Sequence, residues 1–243
     1  MRNYDEETRL RVDYIRGLLD QTGAAGIVYG NSGGKDSALV GYLCRLACPD
    51  TLGLIMPCAS QRNYGQDKSD AEVLGEWANV PSRVVDLTAA RSALVEAAQA
   101  SASLSDAALV NIAPRLRMTA LYAVAASENR LVAGTGNRSE RHMGYFTKWG
   151  DGACDFNPIA DLTVGEVFAF LRHLKAPDFI LQKAPSAGLF DGQTDESEMG
   201  ISYARIDEFL LTGQASDADR ALIDRFHAAS EHKRQLPVMY ENH

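Results

Sequence analysis

Long hydrophobic runs are absent from this 243-residue sequence, and none approaches the roughly 18 apolar residues of a membrane-spanning helix. Residues 1–20 also lack the pattern of a secretory signal peptide, because Asp, Glu and Arg are mixed throughout. We therefore expect a cytoplasmic protein that does not enter a membrane. Apolar residues make up 46% of the chain, enough for one sizeable core, so we expect one domain over residues 1–243.

Positive charge is also scarce, with 24 Lys and Arg against 32 Asp and Glu and a net charge of −8. Proteins that follow a nucleic acid backbone need a basic surface, so we expect no nucleic acid partner. The four cysteines contain no C-x-x-C pair, and Cys44 and Cys48 lie one turn apart on a predicted helix. A core role is favoured over a metal site for them.

The most informative stretch is residues 29–37, Tyr-Gly-Asn-Ser-Gly-Gly-Lys-Asp-Ser. An apolar run precedes it and an apolar residue pattern with helical period follows it, which predicts a strand, a glycine-rich turn and a helix. Backbone N–H groups at a helix start lack intrahelical acceptors and carry the positive end of the helix dipole, so this turn predicts a phosphate site. The alternative is an ordinary Gly-Ser turn, with Asp36 placed favourably in the first helical turn.

Two common phosphate-binding motifs do not fit this stretch. A Walker loop needs glycine where Tyr29 stands and Ser or Thr where Asp36 stands. The dinucleotide motif G-x-G-x-x-G fails because Ser32 follows Gly30 at the second glycine position. The remaining pattern, Ser-Gly-Gly-x-Asp-Ser, resembles the pyrophosphate-binding loop of the ATP pyrophosphatases. In that setting Asp36 could hold Mg²⁺ against the phosphates.

The rest of the chain alternates predicted strands and helices. Because each parallel crossover needs a helix, we expect an α/β fold, a doubly wound parallel sheet with helices on both faces. Predicted strands follow at Thr51–Met56, Arg83–Leu87 and Leu131–Ala133, and predicted helices at Asp5–Leu19, Ala71–Ala78, Ala89–Ala100, Asn111–Ser127, Tyr203–Leu211 and Asp217–Glu231.

Several further blocks follow in order: Gly134–Asn137 with Glu140, Gly144–Gly152, Asp155–Pro158, Lys183–Leu189, Gly200–Tyr203 and Glu231–Arg234. Together with the first loop they resemble the ammonia-dependent NAD synthetases over nearly the whole chain. The resemblance implies an ATP pyrophosphatase-type fold and a homodimer. It also implies a ligase of NAD biosynthesis that amidates deamido-NAD through an acyl adenylate, with ATP as co-substrate, ammonia as nitrogen donor, and AMP and pyrophosphate as products.

The resemblance also implies roles for individual residues. The catalytic pair Asp36 and Glu140 would hold Mg²⁺. ATP would be bound by Gly30, Asn31, Ser32, Gly33, Gly34, Lys35, Asp36, Ser37, Thr135 and Ser186. Deamido-NAD would be bound by Arg115, Lys148, Asp155, His232 and Lys233.

The sequence departs from the family at Val164, where members commonly carry a lysine that contacts ATP phosphate. Lys35 is our candidate for the missing cation. The acidic stretch Gln182–Gly200 has little to bury, so we expect a mobile lid over the nucleotide.

The nitrogen source follows from what the sequence does not contain. We expect no glutaminase domain and no nucleophilic cysteine, hence use of free ammonia, with a separate glutaminase as a possible supplier. Two alternatives stay open: another ATP pyrophosphatase acting on a different small substrate, and a nucleotide sensor without turnover.

Overall fold

A computed structural model describes residues 2–58, 64–183 and 195–240. The alternation of strands and helices begins as predicted and ends in a run of helices. The strands are β1 (Gly26–Gly30), β2 (Thr51–Ile55), β3 (Ser82–Val84) and β4 (Arg130–Ala133). The helices of the first half are α1 (Tyr4–Thr22), α2 (Lys35–Ala47), α3 (Gln66–Trp77), α4 (Thr88–Gln99), α5 (Asp106–Val110) and α6 (Ile112–Glu128). Those of the second half are α7 (Arg138–Met143), α8 (Val164–His173), α9 (Asp178–Gln182), α10 (Asp195–Met199), α11 (Tyr203–Thr212) and α12 (Asp217–Ala229), followed by a 3₁₀ turn at Glu231–Lys233.

The four strands form one parallel sheet in the order β3-β2-β1-β4. The chain therefore moves outward from β1 to β3 and then returns to place β4 on the other side of β1. Ligands bind at such a reversal in open α/β sheets, beyond the carboxyl ends of the strands. The expected fold class is confirmed, and the reversal lies where the two glycine-rich loops leave β1 and β4.

Both faces of the sheet are covered, as the nearly continuous apolar strands require. Along β1 the side chains alternate: Ile27 and Tyr29 pack into a core with α1, α2 and α8, and Val28 packs into a second core with α6. A third apolar cluster joins Met143 and Tyr203 with residues of α8, α11 and α12. The loops after β1 and β4 thus follow strands that have an apolar core on each face of the sheet.

Several element bounds differ from the predicted ones. Helix α3 begins at Gln66, not at Ala71, because its first turn is polar and carries no apolar periodicity. The third strand covers Ser82–Val84 in place of Arg83–Leu87. Backbone hydrogen bonds to β2 and the residues after it nevertheless continue beyond the strand. Val85 N donates to the Ile55 carbonyl, and Leu87 N donates to the Pro57 carbonyl.

The acidic stretch predicted as a mobile lid is only partly visible, because residues 184–194 lie outside the described residues. Its last part is a packed element: α10 buries Asp195 and Met199, and the Tyr203 hydroxyl donates to Asp195 at 3.0 Å. Residues 195–199 therefore form a packed helix, whereas the acidic stretch was expected to have little to bury.

Two further expectations concern membranes and cysteines. Across the described ranges no helix is both long and apolar enough to cross a membrane. Cys44, Cys48 and Cys58 are buried as expected, and Cys154 is partly buried. Within the same ranges no group of three or more His, Cys, Asp or Glu side chains is placed to hold a metal ion.

Candidate active site

The first glycine-rich loop runs from the end of β1 at Gly30 to the start of α2 at Lys35. Gly33 has a φ of +72°, and a Cβ there would lie 2.5 Å from the Asp67 carbonyl oxygen on α3, so glycine is required at this turn. Gly34 caps α2 and has no side chain to satisfy the helix N–H groups. The start of α2 therefore presents backbone donors and the positive dipole end to an anion.

Side chains of the loop hold its shape. The Asn31 amide donates to the Ala71 carbonyl at 2.7 Å, which ties the loop to α3. The Ser37 hydroxyl donates to the Gly34 carbonyl at 3.0 Å, and its oxygen lies 3.1 Å from that of Ser32. Two hydroxyl groups thus stand beside the uncapped helix start, and a phosphate oxygen there would accept from Ser32, because the single Ser37 proton is given to Gly34.

The second loop runs from β4 to α7 and positions Glu140. Asn137 begins α7 with a reciprocal capping box: its side chain accepts from Glu140 N at 3.0 Å, and Glu140 Oε2 accepts from Asn137 N at 3.1 Å. Fully buried Asn137 also donates from Nδ2 to Asp36 Oδ1 at 3.2 Å. One side chain therefore fixes both predicted metal ligands relative to each other.

Asp36 and Glu140 converge on a single cation, the ammonium of Lys35. Lys35 Nζ lies 2.6 Å from Asp36 Oδ2 and 3.7 Å from Glu140 Oε1. Two carboxylates facing one point, beside a phosphate loop, match how proteins bind Mg²⁺, which is held by one or two carboxylates together with substrate phosphates. The residues present therefore fit Mg²⁺, with the ammonium marking where positive charge is favoured.

Burial and charge shift the proton affinities of this cluster. Burial, and then the adjacent Asp36 carboxylate, raise the pKa of Glu140 to about 8. For Lys35, burial acts to lower the pKa, but Asp36 and Glu140 outweigh it and raise the pKa above its usual value. Such shifted pKa values are typical of functional sites, because a shift of this kind needs both burial and a specific charged neighbour.

A cavity of about 630 Å³ opens over both loops. Its walls include most of the predicted ATP-binding and catalytic residues: Gly30, Asn31, Ser32, Gly34, Lys35, Asp36, Ser37, Thr135 and Glu140. Gly33 lies beneath the loop against α3, and the predicted Ser186 lies outside the described residues. A space of this size suits a nucleotide.

The predicted dinucleotide residues form a strip beside the cavity. Lys233 lines the cavity and donates to the carbonyls of Gly144 and Phe146 at 2.7 and 2.8 Å. Next to it, Lys148 donates to the His232 carbonyl at 2.6 Å, and Arg115 donates to the Lys148 carbonyl at 3.3 Å. The structure thus links Arg115, Lys148 and His232 through backbone carbonyls, and Lys233 follows His232 in the chain.

Asp155, the fifth predicted dinucleotide residue, lies apart from that strip. It accepts from the Tyr122 hydroxyl at 3.0 Å and from Val132 N at 2.7 Å. Tyr122 lies two helical turns after Arg115 on α6, so the same helix presents both groups along one face.

Val164, the departure from the family, is buried at the start of α8. Phe168, one turn further along α8, has its ring 6.0 Å from Lys35 Nζ. The Lys35 ammonium therefore lies near the side of α8 that carries Val164, and its assignment as the substitute cation stays a prediction.

Sequence reasoning missed two residues that organise the loops, Asn137 and Lys183. The pattern Asn-x-x-Glu at 137–140 is a capping-box signal that would have indicated the first. Lys183 was noted only as part of a motif, yet its ammonium reaches the Gly33 carbonyl at 3.1 Å. No local pattern indicates that contact, because it joins residues far apart in the chain.

Comparisons with known proteins agree with this geometry. The sequence model of the NAD synthase family matches residues 7–240. An NH(3)-dependent NAD(+) synthetase of Carboxydothermus hydrogenoformans is 45% identical over 238 residues, covering 97% of each chain. An NMN synthetase of Francisella tularensis has a TM-score of 0.93 at 38% identity, covering 100% of both chains. An NH3-dependent NAD synthetase of Campylobacter jejuni has a TM-score of 0.81 at 29% identity, covering 99% of this chain and 100% of that one. With matches to the family model over residues 7–240 and to a relative of 45% identity, the chain belongs to the NAD synthase family.

Proposed function

We propose that this protein makes NAD from deamido-NAD, ATP and ammonia, releasing AMP and pyrophosphate. One observation carries the proposal: the loops after β1 and β4 meet at the sheet reversal and direct Asp36 and Glu140 toward one point in the cavity. The family match over residues 7–240 supports treating the chain as a single NAD synthetase domain.

The first step joins two anions, so the site must offset negative charge. The nicotinate carboxylate attacks the α-phosphorus of ATP and pyrophosphate leaves. Backbone donors at the start of α2, with the Ser32 hydroxyl, would bind the departing pyrophosphate. When bound, Mg²⁺ supplies positive charge to the polyphosphate as the leaving group departs. Asp36 and Glu140 are the residues we propose to hold it.

The second step replaces AMP with nitrogen. Ammonia attacks the acyl carbon, and the amide forms as AMP leaves. The strip of Arg115, Lys148, His232 and Lys233 is placed to hold the deamido-NAD phosphates beside the ATP loop, and Asp155 to contact the nicotinate end. Keeping the substrate fixed there lets a small nucleophile reach an activated carbonyl before water does.

Free ammonia is the proposed nitrogen source. A glutaminase needs a reactive thiolate, but burial raises the pKa of both the Cys58 and the Cys154 thiols. Cys44 is buried in the core, and burial raises its pKa as well. These cysteines lack the environment that activates a nucleophile, so glutamine would require a separate glutaminase.

A second substrate is a specific candidate. The Francisella tularensis structure with a TM-score of 0.93 is named an NMN synthetase. Such an enzyme would amidate nicotinic acid mononucleotide, the nicotinate-bearing half of deamido-NAD, by the same chemistry. The loops that bind ATP would serve both substrates without change, so only the strip beside the cavity would distinguish them.

We also propose that the protein is a homodimer. Helix α4 buries none of its residues in one chain. Leu94 of α4 and Tyr122 of α6, the helix that α4 contacts, are exposed. A second copy would cover these apolar side chains. Light scattering during size-exclusion chromatography should give a mass near twice 26.4 kDa.

The cytoplasmic location expected from the sequence stays a prediction.

Product analysis tests the assignment. The enzyme is incubated with ATP, Mg²⁺ and ammonium chloride, with deamido-NAD or nicotinic acid mononucleotide, and the products are separated by mass spectrometry. We expect equimolar NAD and AMP from deamido-NAD, at a rate that rises with pH because NH₃ is the nucleophile. Glutamine freed of ammonia should yield no NAD. Pyrophosphate release without either amide would contradict the proposal, and a higher kcat/KM for the mononucleotide would favour the second substrate.

A further inference from the structure

Lys183, at the end of α9, links the loop after β1 to α3. Its ammonium lies 2.6 Å from Asp70 Oδ2, 3.1 Å from Asp67 Oδ1 and 3.1 Å from the Gly33 carbonyl oxygen. Asp70 is buried, and its other oxygen accepts from the Gln66 amide at 2.6 Å. The two carboxylates therefore fix the ammonium in place, and the ammonium in turn binds the loop.

The bond to Gly33 matters because of which peptide it holds. The peptide between Gly33 and Gly34 is flanked by two residues without Cβ, so steric hindrance alone does little to fix its orientation. In a planar trans peptide the carbonyl and the following N–H point in opposite directions. With the Gly33 carbonyl held toward α3 by Lys183, the Gly34 N–H faces the other side, where it donates weakly to the Ser32 hydroxyl at 3.3 Å.

That other side is the cavity, which both Ser32 and Gly34 line. A hydrogen bond from an ammonium is about twice as strong as one between neutral groups, so it suits the task of fixing a mobile peptide. We propose that Lys183 is a positioning residue that holds the Gly33–Gly34 peptide with its N–H turned toward the pyrophosphate of ATP. This inference rests on the proposed function of the loop, and it names the residue that fixes the orientation of the loop peptide.

Testing this role requires separating it from simple charge balance. Lys183→Met alone leaves buried Asp70 without its cation and could destabilise the fold. The double variant Lys183→Met with Asp70→Asn removes one positive and one negative charge together, so the fold should be kept while the donor to Gly33 is lost. Lys175→Met is the matched control, because Lys175 is an exposed lysine that is not among the residues lining the cavity.

Pyrophosphate with Mg²⁺ is the binding probe, measured by isothermal titration calorimetry, and it requires no turnover. We expect the double variant to bind pyrophosphate at least about tenfold more weakly, and the Lys175→Met control to change binding less than about threefold. In ligand-free protein labelled with ¹⁵N-glycine, the Gly34 amide resonance of the double variant should broaden or split, because the peptide then samples two orientations.

Three results would overturn the proposal. Wild-type affinity in the double variant would mean that Lys183 only balances charge. An equal loss in Lys175→Met would mean a general electrostatic effect. Weakened binding with an unchanged Gly34 resonance would make Lys183 a direct phosphate ligand. The two binding measurements and the Gly34 resonance require no turnover, so they stay valid if the amidation assay fails. The role of Lys183 and the proposed reaction can therefore be refuted separately.

Discussion

Replacing Lys35 with methionine removes the only cation that the structure places between Asp36 and Glu140 in the described part of the chain. Methionine keeps nearly the length of the side chain and is compatible with the rings of Phe168 and Tyr203, which lie 6.0 Å from the ammonium. The variant therefore tests the charge and not the packing. We expect a folded protein that is less stable in the absence of Mg²⁺.

The magnitude follows from the burial and distances of this cluster. Side-chain exposure is 7% for Lys35 and 18% for Glu140, so the pair is poorly screened by solvent. Two unit charges about 4 Å apart interact by about 4 kcal/mol at an effective dielectric constant of about 20. Removing one partner of a buried pair costs about 3–5 kcal/mol, because the remaining charge keeps its desolvation penalty. We expect a loss in that range at pH 8.

The loss should grow with pH because of Glu140. Its pKa, about 8 in the folded protein, is above that of an unfolded glutamate, so its contribution to stability is lost as pH rises toward 8. Lys35 acts to lower that pKa, so the variant should have a higher one and continue to lose stability above pH 8. The difference from wild type should increase by up to about 1.4 kcal/mol per pH unit there.

Urea unfolding between pH 6 and 9.5 in EDTA gives the measurement, with the exposed-lysine variant Lys175→Met as control. Mg²⁺ added at pH 8 should restore more stability to Lys35→Met than it adds to wild type, because a divalent ion can take the place of the ammonium. A difference below about 1 kcal/mol at every pH would refute the electrostatic reasoning. A variant that Mg²⁺ leaves unchanged would remove Asp36 and Glu140 as metal ligands.

Other predictions concern single contacts. Asp36→Asn and Glu140→Gln keep the side-chain shape but remove a negative ligand, so each should lower kcat at least about 100-fold, and near-full activity at low Mg²⁺ would contradict the assignment. Arg115→Met and Lys148→Met should raise KM for deamido-NAD about tenfold while sparing KM for ATP, and equal losses for both substrates would show that they are placed wrongly. Asn137→Ser keeps an acceptor at the helix start but loses the donor to Asp36, so it should unfold in urea near the wild-type midpoint while kcat falls. If Asn137→Ser keeps the wild-type kcat, the bond to Asp36 does not position the acid.

Much of the fold could be predicted because its signals are local. The strand, turn and helix around Gly33 are specified by adjacent residues, and the alternation of apolar runs implied the parallel sheet. The third strand was misjudged because all three of its residues are exposed at the sheet edge. There the apolar pattern of Val85 and Leu87 reflects packing against the second core after the strand has ended.

The site was less predictable where function depends on contacts across the fold. The resemblance named Asp36 and Glu140, but no sequence pattern shows that Lys35 would stand between them. The spacing of Lys35 from Glu140 carries no information about distance, because β1 and β4 become neighbours only in the folded sheet. The same holds for Lys183 and Gly33, whose bond depends on how α9 returns to α3.

The pairing of β1 with β4 also bears on how the protein folds. Gly26 and Arg130 are partners in the sheet although they lie about a hundred residues apart, and closing so long a loop is a slow step. The proposed nucleotide site uses the loops after both β1 and β4. A partly folded chain in which these strands are not yet paired therefore has an incomplete site. ATP should therefore slow unfolding without accelerating refolding, because it binds a surface that arises only after the barrier has been crossed. Stopped-flow refolding that speeds up with ATP would place β4 in the early nucleus.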